Sequence, residues 1–254
     1  MTQSLTGTVA LVTGASSGIG EATALALAEE GAAVALVARR RDRLEDLAAR
    51  IVGAGGQPLV IETDVTDQEQ ARRAVETTVT EFGRLDTLVN NAGVMLLGPI
   101  VGAPVEEWQR MVQLNVLGLL YCTHAALPHL LSSAEGQPRE VADVVNVSSV
   151  AGRVKRVGNG VYSATKFGVG AFSESLRQEV ATRHVRVTII EPGATATELA
   201  FQNRPEILED MAKNFAGIAL MTAADIANSI RYAVTQPRHV AVNEILIRPT
   251  EQER

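Results

Sequence analysis

The fold is decided by the stretch Thr8-Val9-Ala10-Leu11-Val12-Thr13-Gly14-Ala15-Ser16-Ser17-Gly18-Ile19-Gly20 near the start of the chain. Its apolar first half predicts a buried strand, and a helical pattern over Ile19–Glu30 follows. Glycine has no side chain and tolerates positive φ, so a phosphate can approach backbone N–H groups at the helix N-terminus. The spacing is G-x-x-x-G-x-G rather than G-x-G-x-x-G, and glycine clusters often mark only tight turns. Placement between the first strand and the first helix favours a phosphate-binding turn. The candidate contacts are Gly14, Ser16, Ser17, Gly18, Ile19 and Gly20.

Short apolar runs alternate with helical patterns along the rest of the chain. Most runs are apolar throughout, as strands are when helices cover both faces of a parallel sheet. The predicted strands are Thr8–Thr13, Ala33–Ala38, Leu59–Glu62, Thr87–Asn90, Val144–Ser148, Arg186–Ile190 and Glu244–Arg248. The predicted helices are Ile19–Glu30, Arg43–Ile51, Gln68–Phe82, Val105–Leu131, Tyr162–Arg183 and Ala223–Val234. This order predicts an α/β, doubly wound Rossmann fold of about seven parallel strands, with residues 1–254 as one domain.

Two stretches read as irregular. Ser132–Glu140 is polar and contains Gly and Pro, which predicts a surface excursion. Gly193–Leu220 follows a strand, and loops beyond the carboxyl ends of strands border the ligand crevice of such a sheet. We therefore expect a mobile lid over residues 193–220; the alternative is a short surface helix and loop.

Composition narrows the possible partners. The chain has 23 basic and 29 acidic residues, a formal net charge of −6, which gives no support to nucleic-acid or anionic-membrane binding. The single cysteine, Cys122, excludes an intramolecular disulfide and fits a cytoplasmic location. The N-terminal residues do not read as a signal peptide, and no apolar stretch reaches the roughly 18–20 residues that cross a bilayer.

The end of the second predicted strand, Ala38-Arg39-Arg40-Arg41, bears on the cofactor. An acidic residue here would hold a ribose 2′-hydroxyl and favour NAD, whereas an arginine accommodates a 2′-phosphate. The sequence therefore predicts NADP(H), with Arg39 as the first candidate for the phosphate contact and Arg40 as the second. The alternative is a solvated basic start to the next helix.

Tyr162 and Lys166 are four residues apart and share one face of a predicted helix. Free tyrosine has a pKa near ~10, too high for efficient proton transfer at neutral pH. A neighbouring ammonium favours the phenolate and lowers that pKa. This spacing is frequent by chance, but here the helix follows the strand that ends at Ser148, at a central position for a substrate crevice. We predict that the pair acts as a tuned acid/base.

At this point the chain resembles the short-chain dehydrogenase/reductase family over nearly its whole length. Several motifs occur together in the family's order, which is far more specific than any one of them. They are Thr13-Gly14-x-x-x-Gly18-x-Gly20, Asp64, Asn90-Asn91-Ala92-Gly93, Asn115, Ser149, Tyr162-x-x-x-Lys166 and Pro192-Gly193.

The resemblance implies four catalytic residues. Tyr162 resembles the proton donor to the substrate oxygen, and Lys166 the residue that binds the nicotinamide ribose and lowers the tyrosine pKa. Ser149, thirteen residues before Tyr162 as in the family, is preferred to Ser148 and would polarise the carbonyl. Asn115 resembles an asparagine that helps to hold a water linking Lys166 to solvent; the alternative is a residue that caps or kinks its helix.

The resemblance also implies cofactor contacts outside the glycine turn, besides Tyr162 and Lys166 themselves. Asp64 matches an acidic residue near the adenine, with Val65 beside it, although Asp64 could instead cap the helix before Gln68. Asn90, Ala92 and Gly93 match the segment that passes the adenosine ribose and stabilises the sheet. The turn that holds the nicotinamide matches Pro192, Gly193, Thr195 and Thr197. No metal ligands are predicted.

The substrate side is less well marked. Apolar residues are available for a pocket, although core packing is the first expectation for them. They are Met95, Leu96, Leu97, Val154, Phe201 and Phe215. Arg153, Lys155 and Arg156 lie between the expected serine and tyrosine. They would attract an acidic substrate or form a solvated loop face.

Three further stretches are similar to the family branch that contains clavulanic-acid dehydrogenase and 3-hydroxy-acid dehydrogenases. They are residues 90–99, 164–169 and 244–250. This likeness implies NADPH-dependent reduction of a small ketone or aldehyde, or the reverse oxidation, in secondary metabolism. An acyl-carrier-protein ketoreductase is the enzymatic alternative, and a non-catalytic dinucleotide sensor is disfavoured because the acid/base groups are present. Family relatives are commonly homotetramers or homodimers.

Overall fold

Seven apolar segments form one parallel sheet in the computed structural model, which describes residues 4–253. They are β1 Val9–Thr13, β2 Ala33–Ala38, β3 Gln57–Glu62, β4 Thr87–Asn90, β5 Ala142–Val147, β6 Val185–Pro192 and β7 Glu244–Ile247. Their order across the sheet is β3-β2-β1-β4-β5-β6-β7. The chain reverses its direction of winding between β1 and β4. This is the switch point at which open α/β sheets bind ligands beyond the carboxyl ends of the strands.

Helices cover both faces of the sheet, as predicted. They are α1 Gly18–Glu29, α2 Arg41–Gly53, α3 Gln68–Phe82, α4 Val105–Val112, α5 Leu119–Ala134, α6 Gly160–Val180, α7 Pro205–Asn214 and α8 Ala223–Val234. Short 3-10 turns span Val150–Gly152, Ala181–Arg183 and Glu198–Gln202, and a π-helical turn spans Gln113–Gly118.

Strand β1 shows why these strands are apolar throughout. Successive side chains of a strand point to opposite faces of the sheet. Leu11 packs in a core cluster that includes Val75 of α3. Its neighbour Val12 packs in a second cluster, on the other face, with Leu27 of α1 and Ile230 of α8. Both faces of the sheet are therefore buried, and each residue of the strand must be apolar or small.

Capping residues fix the ends of two helices whose bounds match the predicted ones. Asp67 is the N-cap of α3, because its Oδ1 accepts a hydrogen bond from the Gln70 backbone N–H at 2.8 Å, and Gly83 ends this helix with φ of +81°. Thr222 and Asp225 form a capping box at the start of α8. The alternative that Asp64 caps the helix before Gln68 is therefore wrong.

Two expectations about loops and helices are corrected, and a third is untested. The helix predicted over 105–131 is divided into α4 and α5 by the π-helical turn, a local widening that period-based reading does not detect. The excursion predicted over 132–140 begins only after α5 ends at Ala134. It is also tied down, since Arg139 pairs with Asp143 at 3.1 Å. Residues 193–220 contain the short helix α7, and the mobile lid over this segment stays a prediction.

The helical run Val105–Ala134 is long and apolar enough to cross a membrane by length and composition alone. The expectation that no apolar stretch is long enough to cross a bilayer is therefore wrong for this run. Within it, however, Cys122, Ala126 and Leu130 are buried in the core cluster against α3 and the sheet. The core helix of a globular fold passes the same test, and the run is weak evidence for a membrane span.

Candidate active site

The turn after β1 has the backbone shape that a phosphate-binding loop requires. Gly14 and Gly18 have φ of +67° and +58°, a region that disfavours residues with a side chain. A Cβ on Gly14 would lie 2.9 Å from the Cα of Ala92. Asn91 directly follows β4, and its side chain holds the turn by donating to the Thr13 carbonyl oxygen at 3.0 Å. The residues of the turn that line the cleft are Gly14, Ser16, Ser17, Gly18 and Ile19.

Gly20 differs from the other glycines of the motif, because it lies behind the cleft wall. It is buried in the first turn of α1, where a Cβ would overlap the carbonyl oxygen of Gly14 and crowd the Asn91 amide. The expected cofactor contact at Gly20 is therefore corrected: this residue lets α1 pack closely against the turn.

Arg40 makes more interactions than Arg39 at the end of β2. Its guanidinium contacts the Ser16 hydroxyl through Nε at 3.2 Å and the Ser17 hydroxyl through Nη2 at 2.7 Å. Its Nη1 pairs with the Glu198 carboxylate at 2.8 Å. Arg39 also lines the cleft, but within residues 4–253 it has no hydrogen bond or ion pair. The geometry favours Arg40 for a 2′-phosphate, which reverses the order expected from the sequence.

Asp64 and Val65 lie together on the cleft wall beyond β3. The Asp64 carboxylate accepts hydrogen bonds from the backbone N–H of Thr66 at 3.0 Å and from its hydroxyl at 2.7 Å. These bonds hold one carboxylate oxygen in a tight turn. The position agrees with a role at the adenine end of the cleft.

The Asn90-to-Gly93 segment divides into a structural and a cleft-lining part. Asn90 is buried, and its amide donates to Thr123 Oγ1 and Asn146 Oδ1, both at 2.9 Å. It therefore joins β4 to β5 and α5, which is the sheet-stabilising part of the role expected for this segment. Ala92 and Gly93 do line the cleft.

Tyr162 and Ser149 come together at the carboxyl edge of the sheet. Ser149 follows β5, where its Oγ accepts a hydrogen bond from the Ala151 backbone N–H at 3.1 Å, and Tyr162 lies in the first turn of α6. Burial raises the pKa of Tyr162 to about 12, and the nearby Ser149 side chain opposes this rise by a smaller amount. Ser148 instead donates to the Lys166 carbonyl oxygen at 3.2 Å, away from the tyrosine.

Lys166 lies one helical turn after Tyr162 and is also buried. Its Nζ is 5.8 Å from the centre of the tyrosine ring and donates to the Val147 carbonyl oxygen at 2.8 Å. Burial lowers the pKa of Lys166 to about 8. Burial is the main influence on the Tyr162 pKa in the free chain, and the lowering of that pKa by Lys166 stays a prediction.

Asn115 sits in the π-helical turn, behind the cleft wall. Its Oδ1 accepts from the Val94 backbone N–H at 2.8 Å, and its Nδ2 donates to the Val94 carbonyl oxygen at 2.9 Å and to Thr165 Oγ1 at 3.3 Å. Both donors of the amide are used. The side chain therefore joins the loop after β4 to α6 next to Lys166. It affects the cleft by holding these two elements in place.

The turn after β6 carries the residues expected at the nicotinamide. Pro192, Gly193, Thr195 and Thr197 all line the cleft. Gln252, near the C-terminus, supports this turn, because its Oε1 accepts from the Ala194 backbone N–H at 2.8 Å. A Cβ on Gly193 would overlap this oxygen, which explains why glycine follows proline here.

The predicted apolar residues mostly face the cleft, whereas the predicted basic ones do not act as a group. Leu96 is the exception among the apolar residues and packs in the core beside Tyr162. The residues that line the cleft are Met95, Leu97, Val154, Phe201 and Phe215. Arg153 is bound to buried Glu191 at 2.7 Å and to Glu244, and Lys155 lies 5.1 Å from the Phe167 ring. Arg156 alone of the three lines the cleft.

Several residues of the cleft were not predicted from the sequence, and two of them make contacts that matter for the site. Glu198 and Gln252 both line it, and neither belongs to a local pattern that predicts a site. Asn91 was visible inside the quoted motif, although its bond to the glycine turn was not. Among residues 4–253 there is no group of three or more His, Cys, Asp and Glu side chains arranged to hold a metal ion.

The residues present fit a phosphorylated dinucleotide. The glycine turn leaves space that a side chain on its glycines would fill, and the Arg40 guanidinium lies beside this turn. The turn after β6 lines the same cleft as Tyr162 and Lys166. These features suit the phosphate and nicotinamide ends of one cofactor.

Known proteins are similar to this chain in sequence and in fold. The chain is 43% identical over 249 residues to a glycine betaine reductase of Emericella nidulans, covering 98% of this chain but 19% of that longer protein. A closed form of serine dehydrogenase complexed with NADP+ superposes with a TM-score of 0.87 at 31% identity, over 97% of this chain and 96% of the other. A 3-ketoacyl-ACP reductase from Sinorhizobium meliloti 1021 gives 0.83 at 35% identity, over 94% and 97%.

The family comparison accounts for most of the chain. Residues 8–208 match the model of the short chain dehydrogenases. This range includes the glycine turn, the arginines after β2, Ser149, the Tyr162–Lys166 pair and the turn after β6. The chain is therefore an oxidoreductase that belongs to the short-chain dehydrogenase/reductase family.

Proposed function

We propose that this protein reduces a small aldehyde or ketone to the alcohol with NADPH, or catalyses the reverse oxidation, with Tyr162 as the acid/base. The observation that carries the proposal is that the buried Tyr162 lines one cleft together with Ser149, Lys166 and the glycine turn. NADPH, when bound, supplies a hydride to the carbonyl carbon. The chain's own residues have to orient the carbonyl and deliver a proton to its oxygen.

The proton comes from Tyr162. Because its pKa is raised to about 12, the phenol is protonated at neutral pH and is ready to act as a donor. A carbonyl oxygen that accepts hydrogen bonds from Tyr162 and Ser149 becomes more basic as the hydride arrives, and the phenol proton moves to it. Lys166 then stabilises the phenolate, since its ammonium is largely charged below pH 8.

Three residues have supporting roles in this proposal. Ser149 orients the substrate oxygen and is itself held by the Ala151 backbone N–H group. Asn115 fixes the loop after β4 against α6 and so sets the position of Lys166. The proposed NADP(H) contacts in the remainder of the cleft are Gly14, Ser16, Ser17, Gly18, Ile19, Arg39, Arg40, Asp64, Val65, Ala92, Gly93, Pro192, Gly193, Thr195 and Thr197.

The walls on the substrate side favour a compound with an apolar body. Met95, Leu97 and Val154 lie on one side, and Phe201 and Phe215 come from the segment after β6. Two classes deserve the first test. Similarity to a glycine betaine reductase favours an aldehyde with a quaternary ammonium group. Similarity to a 3-ketoacyl-ACP reductase favours a 3-ketoacyl thioester.

The experiment is a screen of carbonyl compounds followed by the loss of NADPH absorbance. The panel includes glycine betaine aldehyde, a 3-ketoacyl thioester, simple ketones and 3-oxo acids. Tyr162→Phe is the control, and we expect it to lose at least about a hundredfold in kcat, the usual contribution of a positioned acid. Undiminished turnover by that variant would reject the proposed mechanism. NADPH binding without turnover of any compound would favour a dinucleotide sensor.

We propose that the protein works as a homodimer or homotetramer in the cytoplasm. Val105 and Val112 on α4 and Phe167 on α6 are large apolar side chains that are more than a third exposed in the single chain. Association would remove them from water. Light scattering on the purified protein tests this, and a monomer at micromolar concentration would contradict it.

A further inference from the structure

The ion pair between Arg40 and Glu198 joins two segments that are far apart in the chain. Arg40 stands at the start of α2, and Glu198 begins the short helical turn Glu198–Gln202 in the segment after β6. The guanidinium Nη1 lies 2.8 Å from Glu198 Oε2, and the two side chains are 44% and 48% exposed. The pair therefore bridges the mouth of the cleft at the adenosine end.

The other contacts of Arg40 define what kind of ligand this place accepts. Nη2 donates to Ser17 Oγ at 2.7 Å and lies 3.1 Å from Ser16 Oγ, so two hydroxyls and a guanidinium are gathered beside the glycine turn. Such a group of donors suits an anion with several oxygen atoms. In the free protein the anion at this place is the Glu198 carboxylate. Its pKa is lowered chiefly by the hydrogen bond from Arg40, so it is charged at neutral pH.

The segment that carries Glu198 is held close to the phosphate-binding turn. The preceding residue, Thr197, packs on Gly18, where a Cβ would lie 3.3 Å from the threonine side chain. At the far end of the short turn, Asn203 is buried and accepts a hydrogen bond from the Leu97 backbone N–H at 2.7 Å. These two attachments keep the Glu198 carboxylate within reach of Arg40.

We propose that Glu198 occupies the position of the cofactor's 2′-phosphate at Arg40, and that NADP(H) must displace it in order to bind. The 2′-phosphate and the carboxylate compete for one guanidinium, and two anions at that distance repel each other. NAD(H) has a 2′-hydroxyl instead, so the pair survives its binding. Glu198 thus weakens the affinity for NADPH, leaves that for NADH unchanged, and sets how strongly the protein prefers NADPH.

The test measures dissociation constants of NADPH and NADH for the full chain by titration of nicotinamide fluorescence. In Glu198→Gln the competing charge is absent. Exposed ion pairs are weak, so we expect NADPH to bind about two- to fivefold more tightly, with the NADH value unchanged. Combining the change with Arg40→Ala closes a double-mutant cycle, and in that background Glu198→Gln should tighten NADPH binding less than it does in the parent.

Glu45→Gln is the matched control. Glu45 pairs with Arg41 at 2.7 Å on the outside of α2, so this variant removes an equal charge from a neighbouring arginine without touching Arg40. Equal tightening by Glu45→Gln would show a general charge effect and overturn the proposal. Weaker or unchanged NADPH binding by Glu198→Gln would also overturn it, since Glu198 would then orient Arg40 or be irrelevant to it. A parent chain that binds no NADPH would instead contradict the cofactor assignment.

Discussion

Gln252 offers the sharpest test of how the C-terminal residues support the active site. Its side-chain oxygen accepts from the Ala194 backbone N–H at 2.8 Å, and its own backbone N–H donates to the Pro249 carbonyl oxygen at 3.0 Å. Gln252 is 9% exposed. Gly193 and Ala194 belong to the turn proposed to hold the nicotinamide. We therefore expect Gln252→Met, which keeps the volume but removes the acceptor, to loosen that turn.

The magnitude follows from one lost hydrogen bond to a partly buried backbone donor. Leaving such a donor without a partner costs about 1–3 kcal/mol, and the lower half of that range applies because the cleft admits water. A cost of about 1.4 kcal/mol is tenfold in an equilibrium constant. We expect the KM for NADPH to rise about five- to tenfold, with kcat changed by less than about threefold. The acid/base pair itself is untouched.

Steady-state kinetics at saturating carbonyl substrate, with NADPH varied, is the appropriate assay. Gln252→Glu retains an oxygen acceptor and should keep most of the affinity. Glu251→Ala removes the exposed neighbouring side chain and should behave as the parent. A Gln252→Met variant with an unchanged KM for NADPH would refute the reasoning. An equal rise in Glu251→Ala would show that the terminal segment acts as a whole, without a specific role for the glutamine.

Three further predictions concern stability and are read by urea unfolding. Gly20→Ala should cost at least about 3 kcal/mol, because its Cβ would overlap backbone, whereas Gly53→Ala, with no atom within 4 Å, should gain about 0.5–1 kcal/mol; equal effects would contradict the close packing of α1. Arg153→Ala should lose about 2–3 kcal/mol, because Glu191 stays buried without its partner; a neutral change would show that the pair is dispensable. Burial lowers the pKa of Lys166 to about 8, so the folded chain binds this proton less tightly than the unfolded chain. The free energy of unfolding of the parent should therefore rise relative to Lys166→Met as the pH rises from about 8 to about 10. A constant difference in free energy between the two would argue against a buried ammonium.

The sheet was predictable because its residues carry the signal locally. Strands covered on both faces are apolar at every position, and β2 and β4 have the predicted bounds. What the periodicity could not show is the π-helical turn at Asn115. That turn is accompanied by a tertiary contact, since the asparagine bonds to the backbone of Val94 in a loop 21 positions earlier. A pattern of apolar spacing contains no information about such a bond.

The site was predictable where its motifs are contiguous, and less so where a single side chain decides. Arg39 and Arg40 are adjacent, and sequence alone cannot tell which of them turns towards Ser16 and Ser17. Glu198 contacts a residue 158 positions away. Contacts of this kind arise because the carboxyl ends of parallel strands bring distant loops to one edge, and only the folded chain shows them.

The basic segment before Tyr162 shows how a count of charges differs from an electrostatic field. Three positive residues predict attraction for an acidic substrate, but Arg153 is neutralised by Glu191 and Glu244, and the Lys155 ammonium lies over a phenylalanine ring. Arg156 is the one of the three on the cleft wall. We therefore expect Arg156→Ala to lower kcat/KM for a 3-oxo acid about two- to fivefold relative to a neutral ketone, the effect of one exposed charge. Arg153→Ala should lower kcat/KM equally for both substrates, because it acts through stability alone. A loss of kcat/KM for the 3-oxo acid alone in Arg153→Ala would contradict this. It would mean that Arg153 leaves Glu191 and Glu244 when substrate binds, and that the three basic residues recognise the substrate together.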